Sequence, residues 1–158
     1  MPFRPLELPP GPAGRVWLSS MPGRLESWPA FLAEAAQRRI DRVLCLNPLY
    51  EVERLSPAYA AAIADDTLPF AWTHLPMQDF GLAEQLDSYR AAVDEAAAAV
   101  RDGRIMLLHC AAGIGRTGTT AACLLKRLGS PTAQALQRVR AAGSNPESAL
   151  QQGLIDRF

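Results

Sequence analysis

The segment His109–Thr117 has the sequence HCAAGIGRT, and the fold predicted for the chain follows from it. The apolar run 105–108 precedes the segment, and a stretch with helical periodicity follows it. This order predicts a strand, a tight loop and a helix. The backbone N–H groups of a short, glycine-containing loop converge on one point, and the dipole of the next helix adds positive potential there. The segment therefore predicts a binding site for a tetrahedral anion.

Cys110 and Arg116 are the reactive groups of this loop. A guanidinium can hold two oxygens of an anion at once. A helix N-terminus and a nearby cation favour thiolate over thiol at Cys110, and Thr117 supplies a hydroxyl within reach of the sulfur. Gly113 and Gly115 suit a loop whose backbone must approach a ligand closely. A thiolate beneath a bound phosphate is in line to attack phosphorus, so the segment predicts phosphoryl transfer.

The segment resembles the signature His-Cys-x5-Arg-Ser/Thr of the cysteine-dependent protein tyrosine and dual-specificity phosphatases. From Trp17 to Phe158 the layout is similar to the cyclin-dependent-kinase-associated phosphatase branch of that superfamily. The resemblance implies a metal-independent phosphatase with Cys110 as nucleophile and a cysteinyl-phosphate intermediate. It also implies a phosphate-binding loop, here called the phosphate loop, formed by Cys110, Ala111, Ala112, Gly113, Ile114, Gly115 and Arg116. His109 is expected to hydrogen-bond and hold this loop rather than to act as an acid.

Phosphoester hydrolysis also needs a proton donor for the leaving group and a base for water, and one carboxyl group can serve as both. Asp79 is the candidate, because its loop follows a predicted strand and ligands lie at the carboxyl ends of parallel strands. The sequence of 74–79, HLPMQD, also resembles the His-x-Pro-x-x-Asp pattern of dual-specificity phosphatases. Asp87 is the alternative donor, although its place in a helical stretch favours a surface or N-cap role.

Two further roles are predicted near the site. The resemblance implies that Gln151 positions the hydrolytic water, with Gln152 as the alternative. Cys45 ends an apolar strand, and neighbouring parallel strands lie about 4.8 Å apart. If the two strands are neighbours, Cys45 is a possible redox partner that forms a disulfide with Cys110 on oxidation. The alternative is that Cys45 is an inert core residue.

Strands that alternate with helices predict an α/β fold with a mainly parallel sheet flanked by helices. The resemblance implies the three-layer arrangement of the protein tyrosine phosphatases. Residues 15–158 are predicted to form a single catalytic domain. The proline-rich residues 1–14 are predicted to run extended over its surface without regular structure. The predicted strands are 15–19, 42–46, 71–75 and 105–109, and helices are expected after Ser27, after Ser56, over about 82–101, after the phosphate loop, after Ser130 and after Asn145.

Composition limits the partners. The 16 Lys and Arg residues balance 16 Asp and Glu residues, which argues against nucleic acid and against an anionic membrane. The sequence shows neither a membrane span nor a signal peptide, and its three cysteines do not form a disulfide framework. We therefore expect a monomeric cytoplasmic enzyme without cofactor or metal. The excess of Arg over Lys and the many alanines suggest a GC-rich bacterial genome.

The substrate class follows from the charge of the loop. Ala111, Ala112 and Ile114 carry no charge, so a substrate with several phosphates gains little beyond the contact with Arg116. We therefore expect a phosphorylated protein or peptide first, a small phosphomonoester second and a phosphoinositide or inositol phosphate third, with phosphate or vanadate as ligands of the same site. A phosphopeptide-binding pseudophosphatase is the remaining alternative, although such a protein would normally have lost its cysteine or arginine.

Overall fold

The structure is a computed structural model that describes residues 3–158. Its strands are β1 (Arg4–Pro5), β2 (Arg15–Ser19), β3 (Arg42–Cys45), β4 (Ala71–His74) and β5 (Ile105–His109). Its helices are α1 (Trp28–Gln37), α2 (Leu49–Leu55), α3 (Pro57–Ala64), α4 (Leu86–Arg101), α5 (Gly115–Arg127), α6 (Thr132–Ala141) and α7 (Ala149–Asp156). Within these residues, no helix combines the length and the apolar character needed to cross a membrane.

The strands form one sheet in the order β1-β2-β5-β3-β4. The four longer strands run parallel, as predicted, whereas β1 pairs antiparallel with β2 at the edge. The prediction that residues 1–14 contain no regular structure is therefore wrong at Arg4–Pro5. Proline is tolerated there because its missing N–H matters little on an edge strand. Met1 and Pro2, which the same prediction covered, lie outside the described residues.

Alternation along β5 shows why helices cover both faces of the sheet. Met106 and Leu108 belong to the large core under α4, α5, α6 and α7, whereas Leu107 packs with Phe31 of α1. Successive side chains of a strand point to opposite faces, so a continuously apolar strand needs cover on both. The predicted three-layer α/β fold is confirmed.

Most helix ends follow the predicted signals. The Ser27 side chain accepts a hydrogen bond of 3.2 Å from the N–H of Ala30 and caps α1. Gly103 after α4 and Gly129 after α5 both have positive φ, which glycine adopts without steric cost. α4 begins later than predicted, because Met77 and Ala83 pair in a small hairpin before it.

The sequence analysis missed α2, which has seven residues and directly follows Pro48. A helix of two turns is too short to show a clear helical period, so its pattern cannot be separated from that of a loop. The omission affects the site, because α2 leaves the carboxyl end of β3 and carries the buried Glu51.

A buried polar chain connects three elements through Trp72, Tyr59 and His109. The Trp72 Nε1–H donates to the Tyr59 hydroxyl over 2.8 Å, and this hydroxyl lies 2.8 Å from His109 Nε2. Because an indole N–H can only donate, the tyrosine proton is left to donate to Nε2. We infer that His109 is protonated at Nδ1, which faces the carbonyl oxygen of Cys110 at 3.2 Å. Burial lowers the pKa of His109 from 6.5 to about 3, so the ring is neutral.

This lowered pKa predicts a loss of stability in mild acid. Between about pH 6.5 and about pH 3 the unfolded chain binds a proton at His109 that the folded chain does not. The free energy of unfolding should therefore fall by up to about 1.4 kcal/mol per pH unit below about pH 6.5. Urea unfolding at about pH 7 and about pH 5 measures this fall, and the non-titrating variant His109→Gln should lack that share of it. Equal pH dependence in the two proteins would contradict the prediction.

Two helical glycines form a matched pair for testing packing. A Cβ on Gly118 of α5 would lie 2.6 Å from the backbone nitrogen of Asn145, whereas the nearest atom to a Cβ on Gly153 of α7 is 4.0 Å away. Gly118→Ala should therefore cost about 1–3 kcal/mol through overpacking. Gly153→Ala should be neutral or stabilise by about 0.5–1 kcal/mol through helix propensity. Urea unfolding measures the free energy of unfolding of each variant. Equal stability of the two variants would contradict the prediction, because it would show that the backbone at Asn145 moves without cost to make room for the new Cβ.

Candidate active site

Most of the predicted site residues lie together at the carboxyl ends of the parallel strands. Cys110 follows β5, Asp79 lies in the loop after β4, and Glu51 lies in the helix after β3. A pocket of about 220 Å³ opens there, lined by Cys110, Arg116 and Asp79 among others. A larger pocket of about 360 Å³ lies at the amino ends of the strands, beside Asp41 and Met106. None of the predicted site residues lines this pocket.

Donors from outside the phosphate loop hold its carbonyl oxygens. The Ala111 carbonyl accepts from Met21 N over 3.2 Å and from Arg24 Nη1 over 2.8 Å. The Gly113 carbonyl accepts from Ser144 Oγ over 2.6 Å and from an Arg4 guanidinium nitrogen. The Ile114 carbonyl accepts from Asn145 N over 3.1 Å. In a trans peptide the N–H points away from the C=O. The N–H groups of Ala112, Ile114 and Gly115 are therefore directed opposite to these donors, as an anion site requires.

The loop depends on glycine at Gly113 more than at Gly115. Gly113 has φ +78°, and a Cβ there would lie 2.5 Å from the carbonyl oxygen of Ser19. A residue with a Cβ at Gly113 would therefore push the loop away from β2. At Gly115 the nearest atoms belong to the end of the exposed Glu147 side chain, which can move to make room for a Cβ.

Cys110 and Thr117 are in direct contact. The Cys110 side chain is buried, with 3% of its surface exposed, and the Thr117 hydroxyl donates to its sulfur over 3.0 Å. Thr117 is itself fully buried on the first turn of α5. The hydroxyl therefore has a fixed direction and can stabilise negative charge on the sulfur.

Arg116 is held by acceptors on two other elements. Its Nη1 donates to Glu51 Oε2 over 2.8 Å and to the Met77 carbonyl over 3.0 Å, while Nη2 lies 3.6 Å from Asp79 Oδ1. Only 2% of the Arg116 side chain is exposed, and a charge so deeply buried requires a charged partner. The amide of Asn47 donates to the same Glu51 oxygen over 2.7 Å, so the carboxylate is fixed in turn.

Asp79 lies in a tight turn. The Gly81 N–H donates to the carbonyl of Gln78 over 2.9 Å, which places Asp79 and Phe80 at the centre of the turn. Phe80 has φ +57°, a conformation that is costly for a bulky residue and that clusters at functional sites. The Asp79 carboxylate is 59% exposed, so solvent reaches it at the mouth of the pocket. Asp87 is exposed on the first turn of α4 and is not part of the pocket lining.

The two glutamines of α7 differ in their contacts. Gln151 is fully buried, donates from Nε2 to the Gly81 carbonyl over 3.2 Å and accepts from the Glu147 N–H over 2.8 Å. Gln152 instead contacts Asp156 of the same helix at 3.4 Å. Gln151 therefore connects α7 to the turn that carries Asp79, and its predicted contact with water stays a prediction.

Cys45 ends β3, which pairs with β5, and it is in register with His109, the residue before Cys110. The strands are therefore neighbours, which the redox hypothesis requires. Its side chain packs with Met21, Val52 and Tyr59, in a cluster that does not include Cys110. Burial raises the pKa of Cys45 to about 12, and both thiols are free. The redox role of Cys45 stays a prediction.

The sequence analysis gave no role at the site to several residues that contact the loop or its pocket: Arg4, Met21, Arg24, Glu51, Phe80, Ser144, Asn145 and Glu147. Glu51 had a usable signal, because it is an acidic residue just beyond the end of an apolar strand. Arg4 and Arg24 had none, since they contact the loop from distant parts of the chain.

The comparisons with known proteins agree with this geometry. The model of the family described as "Tc-R-P: Polymorphic toxin system, DSP-PTPase phosphatase" matches residues 20–130. No curated protein matches the sequence significantly. Among solved structures, kinase associated phosphatase (KAP) with a serine in place of its catalytic-site cysteine matches with a TM-score of 0.84, at 19% identity, over 99% of this chain and 92% of that chain.

Two further structures are similar. Tk-PTP in its active form matches with a TM-score of 0.69, at 26% identity, over 94% of this chain and 95% of that chain. The human tyrosine phosphatase-like serine/threonine/tyrosine-interacting protein matches with a TM-score of 0.71, at 16% identity, over 97% of this chain and 93% of that chain. Because the family match spans more than half of the chain and includes both Asp79 and the whole phosphate loop, the chain belongs to this DSP-PTPase family, within the dual-specificity protein tyrosine phosphatases.

Proposed function

We propose that this dual-specificity protein tyrosine phosphatase uses Cys110 as its nucleophile, Arg116 and the phosphate loop as its phosphate site, and Asp79 as its acid and base. The observation that supports the proposal best is the outward position of the loop carbonyls around Cys110. With the carbonyls held away, the loop N–H groups can take the oxygens of a phosphate directly above the sulfur, together with the N–H groups of Arg116 that Glu51 and Met77 do not hold.

In the first step the Cys110 thiolate attacks phosphorus, an S–P bond forms and the P–O bond to the leaving group breaks. Asp79 donates its proton to the departing oxygen. The 3.6 Å separation of Asp79 from Arg116 Nη2 supports this role, because it places the carboxyl beside the group that holds the phosphate. In the second step Asp79 takes a proton from water, the water oxygen bonds to phosphorus, and the S–P bond breaks to restore the thiolate.

The other residues act by holding these groups. Thr117 stabilises the thiolate when it attacks and again when it leaves, through its 3.0 Å hydrogen bond to the sulfur. Glu51 fixes the guanidinium of Arg116, and His109 holds the carbonyl of Cys110. Gln151 orients the Asp79 turn through Gly81 and is the candidate for positioning the water.

We propose a phosphorylated protein as substrate, with phosphotyrosine as the preferred residue. Phe80 lines the pocket and is 55% exposed, so its ring is available to an aromatic leaving group. Ile114 on the loop and Leu25 beside Arg24 add exposed apolar surface that suits a polypeptide. A related fold, PTPMT1, has a structure in complex with PI(5)P. In the present chain Ala111 and Ala112 are uncharged, so the loop has no further cation to bind a second phosphate group. This absence favours a phosphoprotein over a phosphoinositide as substrate.

The cellular setting is likewise proposed. We propose a cytoplasmic monomer of bacterial origin. The family description places its members in polymorphic toxin systems, for which export is the alternative location.

The first test is the nucleophile. Purified protein should hydrolyse p-nitrophenyl phosphate and phosphotyrosine peptides in the presence of a chelator, and vanadate should inhibit it. Cys110→Ser should abolish turnover while the protein still binds phosphopeptide. The control is Cys123→Ala, which removes a buried thiol of α5 outside the pocket and should keep its activity. Turnover by Cys110→Ser would disprove the assignment, and phosphopeptide binding without turnover by the unmodified protein would indicate a pseudophosphatase.

The second test is the acid. Asp79→Ala should lower kcat about 10²–10⁴-fold with an alkyl phosphate or another poor leaving group, and less with p-nitrophenyl phosphate. The decline of the rate at high pH should disappear with it, because the group that loses its proton is gone. Asp87→Ala, on the exposed face of α4, is the matched control and should behave as the unmodified enzyme. An unchanged leaving-group dependence in Asp79→Ala would place the acid elsewhere.

A further inference from the structure

Arg4 of β1 hydrogen-bonds to the phosphate loop on the side of the Gly113 carbonyl, away from the pocket. Its guanidinium donates to the carbonyl of Gly113, to the carbonyl of Ala142 over 2.6 Å and to the hydroxyl of Ser144 over 2.9 Å. The Ser144 hydroxyl donates in turn to the Gly113 carbonyl over 2.6 Å. A carbonyl oxygen has two lone pairs, so the Gly113 oxygen has its full set of donors.

Gly113 is the loop position that most needs such support. It has φ +78°, and glycine adopts positive and negative φ with similar ease, so its own backbone does not fix the direction of the next peptide. Arg4 and Ser144 hold its carbonyl on the side away from the pocket. Because the peptide is trans and planar, the Ile114 N–H is then directed toward the pocket.

Arg4 also supplies positive charge that no carboxylate cancels among its described partners, which are two carbonyls and a hydroxyl. Arg116, in contrast, is paired with Glu51 and lies near Asp79. The remaining charged groups at the pocket are Arg24 and Glu147, and His109 is neutral. Burial lowers the pKa of Arg4, and a negative charge on Cys110 opposes that shift.

We infer that Arg4 is a positioning residue, which sets the Gly113–Ile114 peptide for phosphate binding and favours the Cys110 thiolate by its charge. The inference rests on the proposed use of Cys110 and of the loop. It assigns a task in the reaction to the first strand, which lies outside the predicted catalytic domain and contributes no residue to the pocket lining.

Alkylation by iodoacetamide measures the thiolate without turnover. Burial raises the pKa of Cys45 and of Cys123 to about 12 each, so the reaction near neutral pH reports on Cys110, as peptide mapping can verify. Arg4→Gln should move the midpoint of the alkylation rate to higher pH, because a positive charge near the phosphate loop is lost, and should lower kcat/KM about tenfold or more. Arg15→Gln, which removes an exposed arginine at the far end of β2, is the matched control and should change neither quantity.

Two more variants separate charge from geometry. Arg4→Lys keeps the charge but cannot contact three acceptors with one planar group, so the pH midpoint should stay while kcat/KM falls. Ser144→Ala removes a neutral donor to Gly113 and should lower kcat/KM at an unchanged midpoint. If Arg4→Gln does not fold, Arg4→Lys and Ser144→Ala test the inference in its place. An unchanged kcat/KM in both of these variants would overturn the inference.

The remaining outcomes are also distinct. An Arg4→Gln protein with the midpoint and kcat/KM of Arg15→Gln would overturn the inference, and so would a fall in kcat/KM that merely tracks a loss of folded protein in thermal unfolding. A shifted midpoint in a protein whose unmodified form hydrolyses no phosphate ester would support the inference and contradict the proposed function.

Discussion

A loop that binds an anion through its backbone must turn its carbonyls away from the anion, and most of this structure serves that constraint. Each outward carbonyl needs a donor, because an unpaired buried carbonyl costs free energy. Here the donors come from the segment after β2, from β1 and from the connector between α6 and α7. The loop geometry is therefore a property of the whole domain, although the loop itself is a short contiguous segment.

The second constraint is the buried charge of Arg116. A guanidinium with 2% exposure is stable only with a fixed counter-charge, which Glu51 provides with the help of Asn47. The same pairing directs one nitrogen toward Met77 and leaves the other near Asp79. The interactions of Arg116 thus link the helix after β3, the loop after β4 and the loop after β5.

The sequence was sufficient for what is local and periodic. Apolar runs located the four parallel strands, Ser27 and Gly103 located helix ends, and the spacing within HCAAGIGRT located the phosphate loop. The sequence was insufficient where the site depends on a short helix or on a contact between residues far apart in the chain. The seven residues of α2 are too few to show a period, so Glu51 was missed with them. The prolines of residues 1–14 correctly argued against helix, but not against an edge strand, and nothing local shows that Arg4 contacts Gly113.

The contact between Arg4 and the phosphate loop also bears on how the protein gains and loses its active geometry. The two residues are 109 positions apart, and such long-range contacts form late in folding because they close large loops. Segments outside the central sheet can open locally at a lower free energy than global unfolding requires. Here Phe3 and Leu6, on either side of β1, are buried in the core, so apolar packing as well as strand pairing ties β1 down. The support that Arg4 gives to the Gly113 carbonyl therefore lasts as long as these two side chains stay in the core.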